Sequence, residues 1–431
     1  MKPVTTSIND AGDLIIGGIK LADLASKYGT PLYVVDTATI EQFVAKYKRI
    51  SEHYPSVKIA YASKALSVTA LYRLLDSLGL YFDVVSDGEF FTLQKAGVKS
   101  EKAFFHGNNK TNEELEYALK NNIGCIVADN LHEIERIRDI KDALGIKDKT
   151  KIMLRITPEI EAHTHDFIKT GKRDSKFGVL KEQLPAVVEY VKTHGDIDFV
   201  GLHAHIGSQI FDTLPFETLL ETLLDTAMGI YTQHNHLLTT ISIGGGIGIK
   251  YVKEDDPPDI EDFVKVIADK AKSYIKKIKY PITPTLILEP GRSIVANAGV
   301  TVYKVGNVKE IPGVRTYVTV DGGMADNPRP ITYSSEYSAD IINKMTALKN
   351  KNYTIAGKFC ESGDVLIKDI SLPEVEEGDL LVVYTTGAYN YSMSSNYNRY
   401  RKPAMVFVKD GIDTLVLKRE TLADIIRNDV Y

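Results

Sequence analysis

The feature that most constrains the fold is a unit that recurs eight times between about residue 57 and residue 292. In each copy a short apolar run ends in small or polar residues, and a segment with helical spacing of apolar residues follows. The pattern predicts an α/β protein with a (β/α)8 TIM-like barrel, and an open doubly wound sheet is the alternative. The strand ends would form the active face of the barrel. The eight runs end at Tyr61-Ala62-Ser63-Lys64, Asp83-Val84-Val85-Ser86, Phe105-His106-Gly107-Asn108, Val127-Ala128-Asp129-Asn130, Leu154-Arg155-Ile156-Thr157-Pro158, Leu202-His203-Ala204-His205, Ile243-Gly244-Gly245-Gly246 and Leu288-Glu289-Pro290-Gly291-Arg292.

After Arg292 the pattern changes to strands separated by Gly and Asn turns, which predicts a mostly β C-terminal domain. The domain limits we expect are 31–292 for the barrel and 1–30 with 293–431 for the β domain. The strands predicted for this second domain cover residues 13–18, 295–308, 315–321, 380–386 and 405–408.

The composition excludes several classes of function. The net charge is −5 and acidic and basic residues are interspersed, so no nucleic-acid partner is expected. No run approaches the ~20 apolar residues of a membrane span, and the first residues lack the apolar stretch of a signal peptide. The two cysteines, Cys125 and Cys360, indicate no disulfide framework. We therefore expect a cytoplasmic protein without a membrane partner.

Lys64 ends the first apolar run, where an ammonium group that leaves solvent is costly unless it is paired or used covalently. A desolvated lysine amine is a nucleophile toward carbonyls, as in the Schiff bases of pyridoxal phosphate (PLP). The alternative is an ordinary surface lysine.

Two further strand ends carry groups that suit such a cofactor. Gly244, Gly245 and Gly246 let backbone N–H groups approach a phosphate, and the alternative is a tight turn without a ligand. Glu289 could keep a pyridine nitrogen protonated, and Arg292 could hold a phosphate or carboxylate. A structural ion pair is the alternative for these two residues.

His203 and His205 lie two apart on one predicted strand and would point to the same face. A metal-binding pair is one interpretation, but no third carboxylate or histidine ligand has an obvious spacing, so we predict no metal site. Two interpretations stay open for each histidine: a core histidine with satisfied hydrogen bonds, or an imidazole stacked on a cofactor ring. His163 and His165 are interpreted as loop residues.

The segment Cys360-Glu361-Ser362-Gly363-Asp364 lies about 300 residues after Lys64. A cysteine among acidic residues suits a proton donor better than a nucleophile, and an inert core cysteine is the alternative. Residues 387–398 form a polar aromatic segment that is too rich in hydrogen-bonding groups for a simple strand. The alternative is a surface loop without a functional role.

Together these motifs resemble the diaminopimelate decarboxylase family, within the fold-type III PLP enzymes that include ornithine and arginine decarboxylases. The resemblance extends from Gly29 to Thr421 and implies the alanine racemase type of architecture. One departure is Gly357-Lys358-Phe359, where some members have a proline and an aliphatic residue. The motifs that carry the resemblance are Tyr-Ala-Ser-Lys-Ala at 61–65, His-Ile-Gly-Ser-Gln at 205–209, Glu-Pro-Gly-Arg at 289–292, Cys-Glu-Ser-Gly-Asp at 360–364 and Ser-Met-Ser-Ser-Asn-Tyr-Asn at 392–398.

The resemblance implies that Lys64 binds PLP covalently, that His205 stacks on its ring and that Glu289 pairs with its pyridine nitrogen. Cys360 would protonate the carbanion. The other cofactor-binding residues that the resemblance implies are Asp83, Glu89, Arg155, Ser208, Gly244, Gly245, Gly246, Gly291, Arg292 and Tyr389.

For the substrate, the resemblance implies that the distal carboxylate of meso-diaminopimelate is held by Arg292, Arg329 and Tyr333. Glu361 would bind the distal amine and Tyr389 would contact cofactor and substrate. The site would be completed across a homodimer, with Cys360 and Glu361 from the partner subunit. The implied reaction is decarboxylation to L-lysine and CO2.

Charge matching supports this substrate, because an arginine beside the distal group would repel the cation of ornithine or arginine. Decarboxylation of one of those amino acids is nevertheless an alternative. A racemase would need a two-base arrangement, which the cysteine segment argues against. A non-catalytic regulatory relative would be expected to lose Lys64 or Cys360, and this chain keeps both.

Overall fold

The structure, a computed structural model, describes residues 2–158 and 175–430, so that His163 and His165 lie outside the described residues. Its strands are β1 (Ser7–Ile8), β2 (Leu14–Ile16), β3 (Ile19–Lys20), β4 (Leu32–Asp36), β5 (Val57–Ala62), β6 (Tyr81–Val84), β7 (Ala103–Phe105), β8 (Cys125–Ala128), β9 (Thr150–Arg155), β10 (Ile197–His203), β11 (Thr240–Ser242), β12 (Thr285–Leu288), β13 (Gly299–Ile311), β14 (Arg315–Val320), β15 (Ala339–Ile341), β16 (Lys351–Ala356), β17 (Val365–Leu372), β18 (Leu380–Tyr384), β19 (Ala404–Lys409) and β20 (Ile412–Leu417).

In the described residues every helix is too short or too polar to cross a lipid bilayer. The helices are α1 (Leu21–Tyr28), α2 (Thr37–Lys48), α3 (Ile50–His53), α4 (Thr69–Ser77), α5 (Asp87–Lys95), α6 (Asn112–Lys120), α7 (Leu131–Leu144), α8 (Leu184–Thr193), α9 (Leu214–His234), α10 (Ile260–Ile278), α11 (Arg292–Val295), α12 (Arg329–Tyr333) and α13 (Leu422–Ile426).

The chain divides into two compact units that are each discontinuous in sequence. The first consists of Val44–Gly248 and Pro257–Gly291, and the second of Met1–Phe43, Ile249–Asp256 and Arg292–Tyr431. The domain limits that the sequence suggested stay a prediction.

The first unit contains the closed parallel barrel that the recurring pattern predicted. Strands β5 to β12 follow one another around it in chain order, and β12 closes onto β5 with Leu286 opposite Val57. Each of the eight predicted runs is one of these strands, so the barrel is confirmed and the open sheet is excluded. The side chains packed together in its interior are those of Ala60, Phe104, Cys125, Val127, Met153 and Ile287.

Four of the helices between the barrel strands, α5, α6, α7 and α10, begin at a residue whose side chain caps the helix. The Thr111 hydroxyl accepts the Glu114 N–H at the start of α6, and the Glu114 carboxylate accepts the Thr111 N–H. This reciprocal pair satisfies two backbone donors that a helix start leaves open. The cap fixes where α6 starts, and therefore where the polar end of β7 gives way to the helix.

The second unit is mostly β, as predicted. Its larger sheet runs in the order β17-β16-β14-β13-β4-β19-β20, with β18 paired to β13 and β15 to β18, and β1 to β3 form a smaller sheet. Strand β4 lies inside the larger sheet, antiparallel to β13 and parallel to β19. The strand predicted over 295–308 starts later, because Arg292–Val295 forms the buried helix α11 and the strand begins at Gly299.

Candidate active site

Lys64 lies in a single 3₁₀ turn, Ser63–Ala65, directly after β5. Its side chain is exposed, so the described residues do not remove its ammonium group from solvent as the sequence had suggested. The charge of Lys64 nevertheless acts on Asp83, Glu89 and His205, whose pKa values it lowers. The structure thus brings together four residues that the sequence placed at a common site.

Asp83 and Glu89 provide two carboxyl groups with unusual acidity. Burial, and then the charge of Glu289, raises the pKa of Asp83 well above its ordinary value, against the effect of Lys64. Burial also raises the pKa of Glu89 to about 7, although Glu89 accepts the Val85 N–H at 2.8 Å. Both groups therefore bind a proton more firmly than an exposed carboxylate does.

Glu289 follows β12 and is held on both oxygens. Oε1 accepts the Ser242 hydroxyl at 2.7 Å, and Oε2 lies 3.1 Å from His203 Nε2. Burial by itself would raise the pKa of Glu289, but His203, His106 and the hydrogen bonds from His203 and Ser242 lower it below its ordinary value. At neutral pH the Glu289 carboxyl group is an anion, whereas the pKa of the neighbouring Asp83 is raised. Two carboxyl groups whose pKa values are moved apart by their surroundings are typical of acid–base sites.

His203 ends β10, so His205 lies beyond the strand and the expectation that both occupy one strand is wrong. The His205 ring accepts the Gly245 N–H on Nδ1 at 3.3 Å. One ring nitrogen each of His106 and His203 and one carboxylate oxygen of Glu289 lie within 4.8 Å of one another, a grouping that the sequence spacing did not reveal. The hydrogen bond between His203 and Glu289 accounts for much of this closeness.

The glycine segment after β11 is closely packed. A Cβ atom on Gly245 would lie 2.0 Å from the carbonyl oxygen of Glu289, and one on Gly246 would lie 2.2 Å from that of Gly207. Gly246 also has φ +115°, which L-residues with a side chain rarely adopt. Only glycine therefore allows this approach of the loops, and Ser208 follows Gly207 as a half-buried residue.

Arg155 ends β9, and Gly291 follows β12, two residues after Glu289. The Arg155 guanidinium is 4.1 Å from the centre of the Phe177 ring, and burial lowers the pKa of this arginine against the effect of nearby carboxylates. A Cβ on Gly291 would lie 3.0 Å from that of Ala62, so Gly291 permits tight packing beside the turn that carries Lys64.

In the second unit two buried arginines share aromatic neighbours. Arg292 and Arg329 are 6% and 7% exposed, and each has its guanidinium within 6 Å of the rings of Tyr251 and Tyr389. Arg329 also lies 5.3 Å from the Tyr333 ring, and its Nε–H has no hydrogen-bond partner among the described residues. Two adjacent guanidinium groups with aromatic walls suit a planar anion such as a carboxylate.

Cys360 is exposed, which excludes an inert core cysteine. Its N–H donates to Asn398 Oδ1 at 2.9 Å, so the polar aromatic segment directly fixes the cysteine segment. The carboxylate of Asp364 accepts the Phe359 N–H at 2.9 Å and the Met324 N–H at 2.7 Å. Glu361 is exposed beside the cysteine.

The residues of the first unit fit PLP. Asp83 Oδ1 and His106 Nε2 are buried and have no hydrogen-bond partner among the described residues, a pair that a polar aromatic ring would complement. A primary amine, an anionic carboxylate and a glycine cradle lie at the ends of strands of the same barrel. Lys64, Glu289, His205 and Gly244–Gly246 are therefore the residues that would hold the group.

Sequence reasoning missed several of these residues. His106 and Ser242 were visible only as members of apolar runs, and Tyr251 belongs to no recognised motif. His106 ends a strand run like the others, so its position was a usable signal. Tyr251 could not be found, because it comes from the short segment Ile249–Asp256 that joins the second unit.

Comparisons with known proteins give a consistent result. Residues 40–296 match the family model of the pyridoxal-dependent decarboxylase, pyridoxal binding domain. The chain is 46% identical to the diaminopimelate decarboxylase of Bacillus subtilis (strain 168), over 99% of this chain and 97% of the relative. It is 42% identical to the enzyme of the same name from Staphylococcus aureus (strain COL), over 99% of this chain and 100% of the relative. The structure of diaminopimelate decarboxylase from M. jannaschii in complex with L-lysine is similar with a TM-score of 0.92 and 35% identity, covering 100% of this chain and 99% of that one.

Proposed function

This chain belongs to the diaminopimelate decarboxylase family of pyridoxal-dependent decarboxylases, and on that premise we propose how its residues carry out the reaction. It is a PLP-dependent carboxy-lyase that converts meso-2,6-diaminopimelate into L-lysine and CO2, the last step of lysine biosynthesis. The observation that carries the substrate assignment is the pair of buried guanidinium groups of Arg292 and Arg329.

Lys64 would hold PLP covalently through its Nζ atom. The carboxyl groups of Asp83 and Glu89 would interact electrostatically with that nitrogen. His205 would stack on the ring. Two sets of groups complete the proposed cofactor site: the phosphate would be bound by Ser208, Gly244, Gly245 and Gly246, with Arg292 nearby, and the ring would be flanked by Arg155, Gly291 and Tyr389.

When bound, PLP supplies an electron sink for the electron pair that remains when CO2 leaves the substrate. Glu289 would hold a proton at the pyridine nitrogen, because its carboxylate is anionic and fixed by two donors. Cys360 would then deliver a proton to Cα of the product. Loss of CO2 moves no proton. The reaction therefore depends more on the Glu289 carboxylate, which would stabilise the protonated ring nitrogen, than on a strong base.

The substrate has an amino-acid group at each end, so its distal end needs both cationic and anionic partners. Arg292, Arg329 and Tyr333 would bind the distal carboxylate, and Glu361 the distal amine. Ornithine and arginine lack the distal carboxylate, and their distal cation would be repelled by the same guanidinium groups.

We further propose a homodimer in which Cys360 and Glu361 serve the site of the partner subunit. What supports this is that both residues are exposed in the single chain while their segment is firmly hydrogen bonded. A location in the cytoplasm stays a prediction from the cysteine content.

Two inactive variants test the assignments of Lys64 and Cys360 together. Lys64→Ala should lose the absorbance band at about 420 nm that borohydride removes from the wild type. If Cys360 serves the partner subunit, mixing Lys64→Ala with Cys360→Ala under dissociating conditions should restore about a quarter of wild-type activity, because half of the dimers then carry one intact site. Retention of the band in Lys64→Ala would disprove the role of Lys64, and no recovery on mixing would disprove the shared site.

A further inference from the structure

The Glu289 carboxylate is fixed by two neighbours on adjacent strands. His203 ends β10 and is directly opposite Ser242 of β11, and Ser242 is opposite Ile287 of β12, two residues before Glu289. His203 is 1% exposed and Ser242 is 0% exposed. A buried carboxylate with a donor on each oxygen has one preferred orientation.

The protonation of His203 follows from its contact. A carboxylate only accepts hydrogen bonds, so His203 Nε2 carries the proton that it donates to Oε2. His203 Nδ1 is buried without a hydrogen-bond partner in residues 2–158 and 175–430. A buried polar atom without a partner is costly, so the position keeps a histidine at the expense of stability. Simple packing would be better served by an apolar side chain.

His106 packs against the imidazole ring of His203 and limits its rotation. Its imidazole packs edge-on against that of His203, with centroids 4.8 Å apart and an angle of 72°. His106 Nε2 lies 3.6 Å from Glu289 Oε1 and 3.7 Å from Asp83 Oδ1, between the two carboxyl groups. Burial lowers the pKa of His106 well below its ordinary value, so it is neutral at pH 7 and adds a dipole and no charge.

We propose that His203 is a positioning residue that fixes Glu289 as an anion aimed at the ring nitrogen of the cofactor, and so sets how strongly the protein prefers a protonated nitrogen there. This inference rests on the proposed function, because it needs PLP in the barrel with its nitrogen near Glu289. His203 acts only through Glu289 and needs no contact with the substrate.

The test compares cofactor binding to the full-length apoprotein with that of 1-deaza-PLP, in which a C–H group replaces the ring nitrogen. The ratio of the two dissociation constants, measured by fluorescence titration, isolates the interaction of the nitrogen with Glu289. We expect His203→Leu to lower the preference for PLP by roughly tenfold to a hundredfold, the usual effect of one hydrogen bond to a charged group. Affinity for 1-deaza-PLP should stay unchanged.

Two further variants separate positioning from packing. His203→Gln places an amide donor near the position of Nε2 and should recover most of the preference for PLP. His236→Leu, the same substitution on a ring that stacks on Phe199, should leave the ratio at the wild-type value. As a second readout, PLP labelled with ¹⁵N in the ring should show a protonated nitrogen in the wild type and a smaller protonated fraction in His203→Leu.

An equal loss of affinity for both compounds in His203→Leu would show a merely structural role and overturn the inference. An unchanged ratio would overturn it as well. If the wild-type apoprotein binds neither compound, the proposed function itself fails, which is a distinguishable result.

Discussion

Asp364 connects two segments that carry proposed site residues, and its replacement gives a sharp local prediction. Its carboxylate accepts the N–H of Met324, five residues before Arg329, and the N–H of Phe359, next to Cys360. The enclosure is tight, because a Cβ atom on Gly357 would lie 2.1 Å from an oxygen of Asp364. The side chain is thus well placed to hold the cysteine segment in register with the segment that carries Arg329.

Asp364→Asn keeps the shape of the side chain and removes one acceptor. The amide oxygen can accept one of the two N–H groups, and its NH2 group then faces the other donor. A hydrogen bond to a charged group contributes about 1.5–3 kcal/mol, so a loss of about 2 kcal/mol is expected. That energy corresponds to roughly a 30-fold increase in the population of the locally open state.

Amide hydrogen exchange read by mass spectrometry measures this population directly. Peptides that contain Met324 and Phe359 should exchange roughly 30-fold faster in Asp364→Asn, and a peptide over β8 should be unaffected. Cys360 should also be alkylated at a changed rate, with buried Cys125 as the internal control. Asp369→Asn, the same charge change at an exposed position of β17, should behave as the wild type. Unchanged exchange at both amides would refute the proposed role of Asp364.

Two other predictions concern buried charges in the first unit. The pKa of Glu89 is raised from 4.5 to about 7, so its stabilising contribution is complete below pH 4.5 and is lost as the pH rises through about 7. Between about pH 5 and pH 8 the wild-type apoprotein should lose up to roughly 3 kcal/mol of stability relative to Glu89→Gln, and parallel pH profiles in thermal unfolding would contradict this. Lys110 and Glu133 form a 2.7 Å ion pair with both side chains 1% exposed, so Lys110→Met should cost about 3–5 kcal/mol in urea unfolding. The double variant with Glu133→Leu should recover much of that loss, and equal stability of the single and double variants would argue against an uncompensated charge.

The sequence predicted the barrel well, because each strand is a short apolar run with a polar or glycine-rich end. It was weaker for the second unit. Strands β16 and β17 alternate buried and exposed residues only in part, and β4 pairs with strands that follow it by more than ~250 residues. The buried segment Arg292–Val295 ends in Ile294 and Val295, and so short an apolar run cannot be assigned to a helix or a strand by periodicity alone.

For the candidate site, the sequence identified the chemistry of single residues better than their partners. Glu289 was expected beside a cofactor, but its contacts with Ser242 and His203 depend on the register of three barrel strands. The two-residue spacing of His203 and His205 suggested one shared face, and the end of β10 at His203 breaks that alternation. The role of Asp364 depends on two glycines that let the backbone approach its carboxylate.

The central claim is that the two buried arginines select a substrate with a distal carboxylate. The most direct measurement is CO2 release by the wild type and by Arg329→Met from meso-diaminopimelate, ornithine, arginine and lysine. We predict that only meso-diaminopimelate is turned over efficiently, and that Arg329→Met raises its KM by roughly tenfold or more while the Arg329→Lys control lies between. Efficient release of CO2 from ornithine alone, or an unchanged KM in Arg329→Met, would contradict the account.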